Sequence, residues 1–168
     1  DNLIYDNTSG GFYPSQSFIY RLKTPSKLTA SAAFIFGKNG LISLVYTNKN
    51  YKSIKLSGAD FSSENQSFQD YYRNTNNFNL GTEWRFDRLS VRGGYQFEQS
   101  PDNAAIASDN LQGYSFGAGY NFGNFKLDFS FTDNNKTGVY NFYQGFNVNS
   151  TNLDLNNKIF TATITLAL

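Results

Sequence analysis

The sequence contains no cysteine, no histidine and no methionine, and only one tryptophan and three prolines among 168 residues. Without histidine or cysteine there is no Ser-His or Cys-His nucleophile pair, no thiolate, and no ordinary zinc or haem site. Hydrolases and acyltransferases that rely on a histidine base are therefore excluded, and the chain reads as a protein without catalytic activity or cofactor. No disulfide can hold the fold. An excess of one charge sign is missing too: 14 basic residues face 13 acidic ones, which leaves no electrostatic footprint for nucleic acid. The longest apolar run, residues 32–36, falls far short of the roughly 18 residues a membrane-spanning helix requires. No stretch reads as a helix at all. The chain opens on Asp1 without an initiator methionine or a charged and apolar leader, and so reads as processed or as a fragment.

What is abundant is aromatic, with 17 Phe and 12 Tyr, and it is arranged with a period of two. In residues 76–97, Phe78, Leu80, Thr82, Trp84 and Phe86 alternate with Asn79, Gly81, Glu83 and Arg85. After Asp87 and Arg88, Leu89, Val91, Gly93, Tyr95 and Phe97 alternate with Ser90, Arg92, Gly94 and Gln96. Alternation of this kind specifies strands with one apolar and one polar face. A two-residue turn at Asp87 and Arg88 would set Phe86 opposite Leu89, Trp84 opposite Val91 and Glu83 opposite Arg92.

The same pattern recurs along one domain, residues 1–168. Residues 1–14 are turn-rich and irregular. A first strand is expected over residues 15–23, then a short turn at Thr24, Pro25 and Ser26. A second strand follows over 28–36, and Lys38, Asn39 and Gly40 suit a three-residue hairpin with Gly40 in the left-handed position. That turn keeps Phe34 and Phe36 on the face of Ile42 and Leu44. After the hairpin of residues 76–97, strands are expected over 114–122 and 125–132, joined at Gly123 and Asn124, and over 160–168. The count is eight. Connections alternate between tight turns and longer segments at 49–75, 99–110 and 133–157, the last with an aromatic cluster at Tyr140, Phe142, Tyr143 and Phe146.

An even number of strands with alternating short and long connections is the pattern of an antiparallel transmembrane β-barrel in an outer membrane, with the long loops extracellular and both chain ends periplasmic. The alternative is a soluble lipocalin-like barrel around an apolar ligand. Large aromatics on the apolar face and small residues such as Ser31, Ala33, Gly94, Ser115, Gly117 and Gly119 on the other favour lipid outside. Phe36, Trp84, Phe86, Phe122 and Phe125 all lie near short turns, where they would form an interfacial aromatic girdle. Glu83, Arg85, Arg92, Lys126 and Asp128 would point into the lumen, either as a salt-bridged plug or as a guide for substrate. The loop acids Asp60, Glu64, Asp70, Asp102 and Asp109 lack metal-ligand spacing. The last strand resembles the final segment by which barrel assembly machinery recognises its clients, although it ends in Leu168 rather than an aromatic.

Residues 24–46, TPSKLTASAAFIFGKNGLISLVY, resemble a recurrent hairpin of the FadL, OmpP1 and TodX family of outer-membrane transporters for long-chain fatty acids and other hydrophobic compounds. NLGTEWRFDRLSVRGGYQFEQSP and GYSFGAGYNFGNFKLDFSFTD are similar to its later hairpins. The resemblance implies a fourteen-stranded barrel of which this chain supplies the C-terminal eight strands. Nothing here matches the family's N-terminal hatch, so no binding residue carries over. Passive uptake of a hydrophobic small molecule through a bacterial outer membrane is the implied function, with membrane lipid, substrate and other outer-membrane proteins as partners. The alternative is a closed eight-stranded barrel with a structural or partner-binding role.

Overall fold

The computed structural model describes residues 19–140, 142 and 149–166. Seven antiparallel strands form one continuous sheet in the order β2-β3-β5-β6-β7-β8-β9. They are β2 (Ser26–Phe36), β3 (Gly40–Asn50), β5 (Thr75–Phe86), β6 (Leu89–Glu98), β7 (Leu111–Asn121), β8 (Phe125–Tyr140) and β9 (Thr151–Leu166). Each strand pairs with its neighbour in sequence, so the sheet is a meander. Two short strands, β1 (Arg21–Lys23) and β4 (Lys55–Ser57), pair only with each other.

The central hairpin has the register that its alternation dictates: Phe86 faces Leu89, Trp84 faces Val91 and Glu83 faces Arg92. Asp87 takes φ +54° in the turn, a left-handed conformation that a short polar side chain tolerates. At the β2–β3 turn Phe34 pairs with Ile42, which keeps both on the apolar face. The left-handed residue there is Gly37 (φ +59°) rather than Gly40, because the three loop residues are 37–39. Gly40 instead begins β3, where a Cβ would collide with the Trp84 ring. The third short turn is closed by a bond from the Phe122 amide to the Phe125 carbonyl, with Gly123 at φ +99° and its amide held by Asn121 Oδ1 at 2.8 Å.

Four expectations are corrected. The first strand does not join the sheet: of the span 15–23, residues 15–18 lie outside the described residues and only 21–23 are strand, paired with β4. The backbone of Arg21, Leu22 and Lys23 is instead taken up by Ser57, Leu56 and Lys55 of β4, and β2 starts at Ser26 directly after Thr24 and Pro25. The main sheet consequently has seven strands rather than eight, and its edges β2 and β9 are not paired to each other among the described residues. Second, the connection 49–75 contains a helix, α1 (Ser62–Tyr71). It has no apolar stripe to betray it. Asn65 holds it by pairing with both backbone groups of Leu56 (2.8 and 3.0 Å), while Phe68 stacks on Tyr72 and Asp60 caps the start through the Ser62 amide and hydroxyl.

Third, most of 133–157 is not loop. β8 and β9 stay paired from Asp133 with Lys158 out to Tyr140 with Thr151, well beyond the last β7–β8 pair at Gln112 and Asn135. In this Asn-rich extension Leu153 and Leu155 alternate opposite Gly138 and Lys136, out of phase with the apolar residues of 160–166, and backbone pairing with contacts such as Asn135 with Asn156 defines it. Of the aromatic cluster, Tyr140 and Phe142 meet edge to face at 4.7 Å, while Tyr143 and Phe146 lie outside the described residues. Fourth, among the described residues the main sheet begins at the long-loop rim, and the chain ends expected at the short-turn rim lie outside them. β2 starts at Ser26, beside Asn50 at the long-loop rim, and β9 ends at the short-turn rim. Residues 1–14 and Leu168 also lie outside the described residues.

Burial is inverted relative to a soluble sheet. Among the described residues no apolar side chain is buried, and the buried residues are Thr47, Thr75, Asn77, Ser90, Gly113 and Gly119, all on the polar face. On the opposite face Phe34, Phe86, Phe116 and Phe160 are 64%, 60%, 63% and 80% exposed.

Candidate functional site

The register places every charged side chain of β2, β3, β5, β6 and β7 on the polar face, because each occupies a position opposite in parity to the aromatics. β8 adds Lys126, Asp128 and Lys136 to that face. The face thus carries six cations, Lys27, Lys49, Arg85, Arg92, Lys126 and Lys136, against three anions, Glu83, Glu98 and Asp128. Of the strand charges of the apolar face, Asp154 lies out on the β8–β9 extension, whereas Asp133 and Lys158 face each other at the level of Tyr114 and Tyr95.

Five of the polar-face charges form one continuous ladder near the short-turn rim. Arg85 Nε donates to Glu83 Oε1 at 2.6 Å, Arg92 Nε to Glu83 Oε2 at 2.7 Å, and Arg92 Nη1 to Asp128 Oδ1 at 2.7 Å; Lys126 Nζ closes the row on Asp128 Oδ2 at 3.0 Å. Arg92 is the central member, since it alone contacts both carboxylates. Glu83 and Asp128 are about one-fifth exposed, Arg92 about one-third and Arg85 two-thirds, so the Arg85 end is open.

The Arg92–Asp128 bond joins β6 to β8 across the intervening β7. It can form because β7 presents no side chain there. Arg92 is paired with Gly117 and Asp128 with Gly119; a Cβ at Gly119 would press on Asp128 Oδ1 and lie 2.8 Å from Ser90 Oγ. The device is used twice. Gln96 Nε2 reaches Asn134 Oδ1 at 2.6 Å over Gly113, where a Cβ would meet both side chains. On the same face, nearer the β2 edge, Lys49 of β3 reaches Glu98 of β6 at 2.8 Å across β5, near the buried Thr75 and Asn77. Between these bridges, Ser43, Gly81, Gly94, Ser115 and Thr132 form a row of small residues across five strands, lining a groove of about 490 Å³ bordered by Glu83, Arg92 and Gln96.

The five rim aromatics share the apolar face. Phe36 and Trp84 stack at 5.8 Å, with the indole lying over Gly40 between them, and Phe122 stacks on Phe125 at 4.5 Å. Phe86 is exposed beside them. Tyr120, edge-on to Phe122 at 4.7 Å, extends the cluster.

The five ladder residues and the five rim aromatics are the ones singled out from alternation and turn proximity. The skip-strand bridges are not readable that way. Their signal is glycine at alternating positions of β7, opposite long polar side chains on both neighbouring strands. Among the described residues no group of three acidic side chains could hold a metal, and no helix is long and apolar enough to cross a membrane. Comparison with known protein families, curated proteins and solved structures finds no match.

Proposed function

We propose that this sheet is part of the wall of a transmembrane antiparallel β-barrel in a Gram-negative outer membrane, and that the intact protein passes hydrophobic small molecules, such as long-chain fatty acids, passively. The inverted burial carries the reading. A sheet whose aromatics are exposed on one face, with the paired Asp133 and Lys158 towards its long-loop end, and whose other charges are gathered mainly on the opposite face, is matched to lipid outside and a polar interior. Residues 78–86 run about 27 Å along the strand, or about 20 Å along the membrane normal at a tilt of about 40°, close to the apolar band of such barrels. The stacked Phe36–Trp84 and Phe122–Phe125 pairs suit the membrane interface at the short-turn rim.

On this reading the ladder lies in the lumen, where an excess of cations over anions favours solutes with an anionic head group. Barrel assembly machinery would insert the chain, with β9 as the segment it recognises. The test is uptake of a labelled long-chain fatty acid into liposomes by the purified intact protein. Uptake that matches protein-free liposomes, with insertion verified, would sink the transport claim.

One observation favours a second reading, a structural or partner-binding barrel. The paired β8–β9 extension beyond the rim offers a rigid surface for another outer-membrane protein. Replacing residues 136–154 by a short turn would then abolish partner capture and leave permeability unchanged.

A further inference from the structure

The apolar band does not follow the rows of paired residues. Towards the long-loop rim it ends at Leu28 on β2, Phe78 on β5 and Phe160 on β9. By register Leu28 lies level with Asn76 and Phe160 with Thr82, so the margin recedes by six residues between β2 and β9. Six residues are about 20 Å and six strand spacings about 29 Å, so the margin runs about 35° off the rows, close to the strand tilt of a membrane barrel. A bilayer boundary drawn along it puts Asp133 and Lys158 just outside the hydrocarbon, although Leu44 and Leu80 of the same row fall within it.

The two charges at that boundary are not equivalent. Asp133 is 17% exposed, and its Oδ1 accepts a bond from Asn135 Nδ2 at 3.0 Å. Lys158 is 55% exposed, with Nζ 3.8 Å from Asp133 Oδ2. The carboxylate is thus drawn back and hydrogen-bonded within the protein, while the ammonium is presented outward. Among the described residues Lys158 is the one cation on the apolar face of the seven strands. Tyr114, where the band ends on β7, brings a hydroxyl to the same margin.

Immediately inside the margin, the apolar face has a groove of about 550 Å³ lined by Phe116, Ala118, Phe129, Phe131, Phe160 and Ala162. Phe116, Phe131 and Phe160 form one row, and in the next row Ala118 and Ala162 flank Phe129, where their small side chains give the groove its depth. Phe160 follows Lys158 on the same face of β9, so the cation stands at the head of the groove. A cation at head-group level above an apolar slot complements an anionic amphiphile. We infer that a lipid with an anionic phosphate head group, lacking a compensating ammonium, binds the outer surface of β7, β8 and β9, its phosphate on Lys158 and one acyl chain in the groove. The inference rests on the membrane reading and adds to it a lipid site on the outside of the wall, separate from any solute on the polar face.

The test uses the purified intact protein in phosphatidylcholine vesicles that contain a trace of either phosphatidic acid or phosphatidylcholine carrying a diazirine in one acyl chain. Insertion is scored first, by resistance to carbonate extraction. After photolysis the phosphatidic acid probe should label the peptides around Phe116 and Phe160 in preference to the rest of the apolar face, and unlabelled phosphatidic acid, but not inorganic phosphate, should displace it. Lys158→Gln should reduce that labelling about fivefold, as expected for the loss of one lysine beside an anionic lipid, and Lys158→Arg should retain it. Ala162→Phe, which fills the groove and leaves the cation in place, should reduce it as well. Equal labelling by the two probes, labelling spread evenly over the apolar face, displacement by inorganic phosphate, or wild-type labelling of either Lys158→Gln or Ala162→Phe would overturn the inference. A protein stripped from the vesicles by carbonate sinks the membrane proposal, and this inference with it; an inserted protein labelled equally by both probes sinks this inference alone.

Discussion

Replacing Gly119 by alanine tests whether the ladder depends on the bare face of β7. On general grounds a Gly→Ala change in a strand stabilises by about 0.5–1 kcal/mol, because alanine gives up less unfolded-state freedom. Gly138 on β8 should show that gain undisturbed, since nothing lies within 4 Å of a Cβ built there. At Gly119 the new methyl group displaces the Asp128 carboxylate and crowds Ser90 Oγ at 2.8 Å, and with the carboxylate goes its 2.7 Å bond to Arg92. A charge-assisted bond contributes about 1.5–3 kcal/mol when well shielded, and Arg92, about one-third exposed, retains only part of that. The net expectation is about 1 kcal/mol of destabilisation for Gly119→Ala, against slight stabilisation for Gly138→Ala. Reversible urea unfolding of the purified protein, followed by the fluorescence of the single tryptophan, would measure both. Combining Gly119→Ala with Asp128→Ala should cost less than the sum of the two changes, because each removes the same bond. If Gly119→Ala were as stable as Gly138→Ala, or if the two changes simply added, the bridging role assigned to β7 would be wrong.

Arg92→Met should be the most damaging change in the ladder, by about 2 kcal/mol in the same assay, because it leaves both carboxylates short of a donor; a loss no larger than that of Arg85→Met would refute Arg92 as the central member. Asn65→Ala removes both bonds to the Leu56 backbone, so amide exchange and proteolysis within 55–72 should accelerate while the unfolding midpoint of the main sheet holds; unchanged exchange there would show that α1 is held otherwise. The Asp109 carboxyl is held below the usual aspartate range by the Thr137 hydroxyl, the Ile106 amide and the nearby Arg73 charge. A lowered folded-state value stabilises above the ordinary aspartate pKa and is lost as pH falls through the lowered one, so docking of residues 104–110 on β8 should loosen only in acid. Hydrogen exchange of that segment should quicken from pH 6 to pH 3 in the wild type, corrected for intrinsic rates, and be fast throughout in Asp109→Asn; pH-independent protection would contradict this.

The parts of the fold legible in the sequence are those where alternation and turn chemistry agree. The β5–β6 and β7–β8 hairpins show uninterrupted period-two patterns around Asp87-Arg88 and Gly123-Asn124, so register and facing residues follow from the residues alone. Where alternation stops, the reading fails. The α1 helix carries Ser, Gln and Asn where an amphipathic helix would carry a stripe, and its stability comes from a side chain that recognises the backbone of β4. The β8–β9 extension is out of phase: Leu153 and Leu155 fall on the face opposite to Phe160 and Ile164 and lie among Asn residues, so the stretch looks like loop. The first strand failed for a different reason: Phe18, Tyr20 and Leu22 alternate well, but residues 21–23 pair with β4 in the β3–β5 connection, a partner that alternation alone does not reveal. Of the site, the residue types were visible while their connections were not. Glu83 and Arg92 face each other across one hairpin, whereas Arg92 and Asp128 meet only over a third strand.

The bare positions of β7 also bear on how the sheet avoids errors as it forms. A one-residue slip between strands turns every aromatic to the wrong face and is penalised at once. A two-residue slip is more dangerous, because it keeps every aromatic on its own face. Moving β8 two residues along β7 would carry Asp128 away from the opening at Gly119 and bring Ser130 or Lys126 there in its place, and Arg92 would lose its carboxylate. The Gln96–Asn134 bridge over Gly113 would be lost in the same movement. Two polar bonds, spaced along one strand and readable only in the correct alignment, thereby act as a proofreading gauge for a sheet whose greasy surface is indifferent to even-numbered mistakes.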